Sequence, residues 1–529
     1  MKKIVSFLGF SFFLIPSTWA APANVDFIVT MSEAVNVTGC PTNCPRIAVT
    51  VDGQTRYATY SAGTGTSSLT FSYAPTIGDL DLDGVALTSP IDLNGGTITD
   101  LNGNPETDLT FTVPNTSGIK IDYPSLSMDF VADADGRYTV NGTAYNDLSS
   151  FLGATGGTFT RSSVGTYFDS TGTLQTAASG QPRFDHDPVT HTPKGILIEE
   201  SRSNKLLNSS DFNASGWSRT DITVNSSTGH IYNLQKITEG SAGTALLRQN
   251  VFGAFTAGST TYGSFFVSRG NTDWIVVKIN ETGAGEIANF WFNIATGIAG
   301  SITKTGGSNE TAKIIPISSG VYRIIVSFLP NPTSTNRGIL ISSATSNGSL
   351  SRVPGAEYYV SYAQLEQGSF PTSYIPTTSA AVTRAAETMT VPISSWFNNT
   401  NGSISFTGDV ISSGTEATPG GIAIHSIGNN GYLFYKQAGT LNLYSFVGTG
   451  QVNIGAVSSN TLFIAGMAYN TTTAKGALNG VLSAGFTPSS VWLPTYLKTN
   501  QAGSWNGHIM KYKFYPTQSS DTQLQLLTQ

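Results

Sequence analysis

RFDHDPVTHTPKGILIEESRSNKLLN (Arg183–Asn208) is the least generic run in a chain with 56 glycines and only 11% charged residues. It gathers Asp185, His186, Asp187, His191, Glu199 and Glu200, with Arg183, Lys194, Arg202 and Lys205 among them. Metal or acid–base chemistry would need these groups to converge on one point. Asp187 precedes Pro188 and Thr192 precedes Pro193, however, and a residue before proline is pushed toward extended backbone. The stretch therefore reads as a solvated or salt-bridged joint, with β-rich blocks on either side.

Those blocks carry the fold class. The 529 residues exceed what one core can organise and should divide into about three or four domains. Downstream of the joint, GSFFVSRG (Gly263–Gly270), DWIVVKI (Asp273–Ile279), NFWFNI (Asn289–Ile294) and YRIIVSF (Tyr322–Phe328) read as strands. From Pro392 onward SISFTGDV, YLFYKQ, LNLYSF, TLFIAGMAY and HIMKYKFYP do the same. Upstream, IAVTV, RYATY and LTFSYA alternate between turns, as in a small antiparallel sandwich. The expectation is an all-β, multidomain chain.

Three local features are legible at the N-terminal end. Residues 1–20 read as a secretory signal: Lys2 and Lys3, an apolar core from Ile4 to Ile15, then Thr18-Trp19-Ala20 before the cleavage point. An uncleaved anchor is the competing reading, since Trp19 sits awkwardly beside that point. Cys40 and Cys44, the only cysteines, suit a small disulfide loop in an oxidising compartment. Asp79, Asp81 and Asp83 alternate before Gly84, with Asp100 placed to join from a facing loop. Oxygen-rich spacing of this kind suits a hard cation, and Ca²⁺ is the one expected outside a cell. A solvated acidic turn without metal stands beside that reading, because Pro90 falls where an EF-hand needs a bidentate Glu.

The runs FIVTMSEAVNVTG, LTFSYAPTIGDLDLDGVAL and LNGGTITDLNGNPETDLTF resemble the bacterial Ig-like, cadherin-like repeats of exported adhesins. The longer segment TYFDSTGTLQTAASGQPRFDHDPVTHTPKGILIEESRSNKLLNSSDF resembles one recurrent in phage tail and head fibre proteins, where it precedes a carbohydrate-binding-type jelly roll. QLEQGSFPTSY, ending at Tyr374, is similar to the closing strand and tail of such modules, and SWNGHIMKYKFYPTQSSDTQLQLLTQ to the end of concanavalin A-like lectin sandwiches. These resemblances imply the following layout: signal peptide 1–20, Ig-like sandwich 21–123, fibre-type joint 124–208, jelly roll 209–378, linker 379–391 and concanavalin A-like sandwich 392–529. At its stated length the last block is short for such a sandwich, so Leu126 to Val131 could supply it with a strand across the inserted jelly roll.

Sugar recognition needs a flat aromatic for the ring's CH face and planar polar groups for its hydroxyls. Trp274, Trp217, Arg248 and Gln249 in the jelly roll, with Trp505 and Tyr432 in the last block, are the candidates. Core packing is the bland alternative for each aromatic, and Trp274 and Trp505, beside polar turns, are the better surface choices. His508, next to Gly507, reads as a structural strand residue.

Glycoside hydrolysis would need two nearby carboxylates, yet Asp409, Glu416 and Asp521 are the only acids after Pro392 and none adjoins another. The expected function is thus non-catalytic: a secreted or cell-surface, glycan-binding adhesion protein of phage-fibre type, compatible with a homo-oligomer. A purely structural fibre or adhesin subunit and a polysaccharide-active hydrolase are the rival readings. A net charge of −6 disfavours nucleic acid as a partner, and after signal cleavage no apolar run is long enough to span a membrane.

Overall fold

The computed structural model describes residues 23–133, 137–226, 230–281, 287–305, 308–329, 335–411, 420–425, 434–448, 450–488, 495–501 and 505–529. The segment expected as a secretory signal, 1–20, lies outside them. The described chain is almost entirely antiparallel strand, with short helices at Leu148–Thr155 and Asp521–Leu527. No helix among the described residues is long and apolar enough to cross a membrane.

In the first domain a six-stranded antiparallel sheet is built by Val25–Thr38, Arg46–Val51, Gln54–Ala62, Thr66–Tyr73, Ala86–Asp92 and Thr97–Asp100. Period-two alternation in RIAVTV buries Ile47, Val49 and Val51 against Phe27, Val29, Leu69 and Phe71. Cys40 and Cys44 are disulfide-bonded, closing the loop between the first two strands.

The segment expected as a fibre-type joint, 124–208, is largely woven into the C-terminal sandwich, Leu126–Asp129 as the strand expected there. The last strand, Gly507–Tyr515, pairs on one side with Gly402–Gly408. On its other side it takes Pro193–Ile198 along its first half and Leu126–Asp129 along its second. Thr158–Thr160 joins the facing sheet through Thr388–Pro392. Leu126, Met128, Ile196 and Ile198 consequently share one core with Phe406, Trp505 and Phe514. The block 392–529 is short because its missing strands precede the middle domain in sequence.

That middle domain is inserted between them, and its neck is the paired strands Arg202–Asn204 and Val382–Arg384. Two six-stranded antiparallel sheets face each other. One includes Gln235–Glu239, Thr261–Arg269, Val321–Leu329 and Glu357–Gln367; the other runs in the order Ser218–Thr220, Leu246–Val251, Arg337–Ala344, Trp274–Asn280, Ile287–Asn293, Ile298–Thr305. Their inner faces interdigitate through Phe265, Val267, Val326 and Leu365 on one side and Leu247, Ile275, Val277, Phe290 and Ile339 on the other.

The two outer faces differ. On the first sheet, Phe266, Val321 and Tyr362 are covered by Phe168 and Leu174 from the hairpin Gly165–Phe168/Leu174–Ala177. Phe168 stacks on Phe266 at 6.4 Å, and the Tyr232 hydroxyl donates to the Gly172 carbonyl (2.6 Å). Among the described residues the second sheet's outer face carries a smaller apolar cluster, Val276, Trp291 and Ala344, and half-buried polar side chains such as Lys278 and Asn280.

Candidate functional site

Part of the charged stretch that stands out in the sequence, Arg183, Asp185, Glu199 and Arg202, is buried architecture. Arg183, wholly inaccessible, donates from Nε and Nη2 to both oxygens of Glu387 (2.6 Å each), from Nη2 to Glu199 (2.9 Å), and from Nη1 to the Thr166 carbonyl and Ser373 hydroxyl. Arg161 adds a second cation to Glu387 (2.8 Å) and Arg384 a second to Glu199 (2.7 Å). Ser373 donates from its backbone and hydroxyl to Glu199. Burial alone would raise the Glu199 carboxyl, but Arg384, Arg183 and these hydrogen bonds outweigh it and hold it well below the usual range. Each of these charges is engaged by protein partners.

The same holds for Asp185. It accepts from Phe168 N (2.7 Å) and from His508 Nε2 (2.9 Å), while His508 Nδ1 faces Asp409 at 2.9 Å. Burial pushes the imidazole down, but the Asp409 charge and the hydrogen bonds to both carboxylates overcome it and set its pKa at about 9. His508 is thus an imidazolium clamped between the 184–198 hairpin and the C-terminal sheet.

The carboxylates expected to hold Ca²⁺ accept hydrogen bonds from the protein itself. Asp79 accepts from the Tyr73 hydroxyl, from Thr76 N and Oγ1 (2.7 and 2.9 Å) and pairs with Arg56 (3.0 Å). Asp81 caps Asp52 N and Gly84 N, and Asp83 accepts from Gln523 in the C-terminal helix, which also takes up Leu82 N. Asp100 organises its own turn through Asn102 N and Asn104. Among the described residues no three His, Cys, Asp or Glu side chains are grouped to hold an ion.

Of the expected sugar-contact residues, three are core. Trp505 is 1% exposed and sits edge-on to Phe406 (5.8 Å). Trp217 is 6% exposed, packs edge-on against Phe212 (4.6 Å) and donates to the Leu207 and Asn208 carbonyls. Gln249 clamps both the N–H and the carbonyl of Leu207. A sugar cannot stack on or reach them without opening a core. Tyr432 lies outside the described residues.

Arg248 and Trp274 share the outer face of the second sheet. Strand register assembles that face in rows. One row runs Arg248, Leu340, Lys278, Asn289 and Thr303. The next, two residues along, runs Asn250, Gly338 and Asn280. Toward the far end, Val276, Trp291 and Ala344 pack together with Trp274 half-buried against them, and the Trp291 Nε1–H donates to the Ser349 carbonyl (2.7 Å). The polar groups are incompletely satisfied: Arg248 Nε and the Oδ1 atoms of Asn250, Asn280 and Asn289 are buried without a hydrogen-bond partner. Gly338 has no side chain between two of them, and a Cβ there would lie 2.4 Å from Asn250 Oδ1 and 2.2 Å from Asn280 Oδ1. Buried polar atoms are normally paired. These four lie in two adjacent rows of this face, and Trp274 lies farther along it.

Sequence reading named Arg248 and Trp274 but missed Lys278, Asn250, Asn280, Asn289 and Gly338. Period-two outward placement on strands was the available signal, and the register between strands remote in sequence was not.

No protein-family model matches the chain, and no curated relative matches it. Among solved structures it is similar to Trypanosoma rangeli sialidase in complex with the inhibitor DANA, at 9% identity and a TM-score of 0.22, covering 100% of this chain and 84% of that one. It is also similar to the same enzyme in complex with sialic acid (10% identity, TM-score 0.21, 97% and 99% covered) and to a third structure of that sialidase (11%, 0.21, 96% and 97%). These neighbours are sialidases, so the expectation of a non-catalytic adhesion protein of phage-fibre type is corrected, and no family model supports the fibre assignment. Superposition this loose places no catalytic residue on the chain.

Proposed function

We propose that this protein engages a glycan through the outer face of the middle domain's second sheet. The observation that carries the reading is the row structure: Arg248, Lys278 and three asparagine amides lie on one face, with four buried atoms left unpaired. Trp274 lies on the same face two cross-strand rows beyond Lys278, half-buried. An indole face supports the apolar side of a pyranose and amides exchange hydrogen bonds with its hydroxyls, so the two together fit a sugar better than an apolar ligand. The sialidase neighbours bind or act on sialic acid by their names, which is compatible with a glycan partner. A disulfide in the first domain suits an oxidising, extracellular setting.

Glycan-array binding of the full chain, repeated with Trp274→Ala, tests this. The variant should lose about 30-fold in affinity, corresponding to about 2 kcal/mol for a central aromatic anchor. Unchanged binding by Trp274→Ala, with an unaltered melting temperature, would move the site elsewhere.

A further inference from the structure

The polar face has a sign. Arg248 and Lys278 stand in the same cross-strand row, separated only by Leu340 on the intervening strand. Neither has a carboxylate partner among the described residues, although the chain as a whole is acidic, at −6. The described acids of this domain are engaged elsewhere: Glu239 with Ser343, Asp273 with Arg269, Glu310 with Lys304, Glu357 with Lys236, and Glu281 beside Arg337. Burial, together with the nearby Arg352 charge, holds the Lys278 ammonium below its usual range. Arg352 is itself fixed by the Ala245 and Ser343 carbonyls, not by an acid of the face. Two cations partly withdrawn from water without a counter-ion are costly, and an anion arriving from outside offsets that cost.

We infer that the ligand of this face is an acid-bearing glycan, whose anionic group sits between Arg248 and Lys278 while neighbouring hydroxyls meet Asn250, Asn280 and Asn289. The inference rests on the glycan reading above and goes beyond it by fixing the charge of the sugar. Geometry divides the labour. The guanidinium presents paired N–H donors suited to a carboxylate or sulfate, the ammonium adds a point charge one strand pair away, and the amides over Gly338 lie in the next row, about one sugar hydroxyl's reach along the strands. Nonspecific attraction of polyanions is disfavoured by the acidic balance of the chain, so selectivity has to come from this face.

The test compares matched acidic and neutral sugars on the full chain by calorimetry: sialyllactose against lactose, polygalacturonate against its methyl ester, and dextran sulfate against dextran. The acidic member of at least one pair should bind about tenfold or more tightly than its neutral partner, as expected for one charge-assisted contact. Which pair responds separates sialate, uronate and sulfate. Arg248→Gln and Lys278→Gln should each cut acidic binding about tenfold and leave any neutral binding unchanged, whereas Lys120→Gln, an exposed change in the first domain, should alter neither. Both site variants keep a polar, similarly sized side chain, and their melting curves report folding independently. Neutral sugars binding as well as acidic ones would overturn this inference and leave glycan recognition standing. No binding to any sugar in the set or on the array would overturn both.

Discussion

At the scale of single residues, the decisive fact is how many charges lie out of reach of water. Arg161, Arg183 and Arg384 against Glu199 and Glu387 form a cluster in which every described charge is within hydrogen-bond distance of an opposite one. Such a cluster adds little net stability compared with a well-packed apolar substitute, but removing one member strands its partners. Arg183→Met is therefore expected to destabilise the protein by about 3–5 kcal/mol, and Glu387→Gln by a similar amount, read as a fall in urea midpoint. The His508 clamp gives a pH signature. Its folded pKa of about 9 lies above the ordinary value near 6.5, so its contribution is complete below about pH 6.5 and is lost as the pH rises through 9. That loss amounts to about 3 kcal/mol, and thermal melts of the wild type should fall across this window while those of His508→Gln start lower and stay flatter. At the acid end the order reverses. Burial would raise Asp409 and Glu199, but His508 and the arginines hold both below the ordinary carboxylate range, so their contribution disappears as the pH drops through those lowered values.

Among elements, the last strand has the heaviest duty, since three separate segments depend on it. Gly195 shows how close the approach is. Its φ is +95°, and a Cβ would fall 2.2 Å from the Ile509 carbonyl oxygen. Gly195→Ala should thus unpair the 193–198 strand, lower the melting temperature and raise amide exchange at Ile196 and Leu197 in particular. Strand parity also explains what the sequence disclosed and what it withheld. IVVKI and ILIS alternate in a way that identifies strands directly, so the all-β class was legible. Arg248 and Gln249 are neighbours of equal polarity, yet period two sends one outward and the other into the Leu207 clamp. Choosing between them requires the partner strand. Likewise Arg183-to-Arg202 reads as a solvated run because charges are seldom buried, and its true counter-ions, Glu387 and Arg384, lie about two hundred residues away.

For the whole molecule, the sandwich is discontinuous in sequence and the first domain is docked to its end. Asp122 accepts from Lys513 and Tyr515, Gly78 from Thr517, and Leu82 and Asp83 meet Gln523. A fragment of residues 392–529 would lack the strands at 126–129, 158–160 and 193–198 and expose the core they cover. It should fail to give a cooperative thermal transition, whereas a chain running from residue 124 to the end should give one; equal behaviour of the two would show that the early strands are dispensable. Sequence alone could show that the C-terminal block was too short. It could not show where all the missing strands came from, because their pairing spans more than two hundred residues.

The neck at Arg202–Asn204 and Val382–Arg384 brings the start and finish of the middle domain side by side. Entry and exit that close make the insertion an exchangeable cassette: any folded unit whose ends meet at the same spacing could be grafted there without re-threading the host. The graft has one requirement. The outgoing segment carries Ser373, which satisfies Glu199, and Glu366, which holds Thr372 in place, so a successful swap must cut on the domain side of these residues and leave the seam with the host. A gene with such an arrangement can change what its molecule touches by recombination at two neighbouring points, while the frame that presents the exchanged unit is inherited intact.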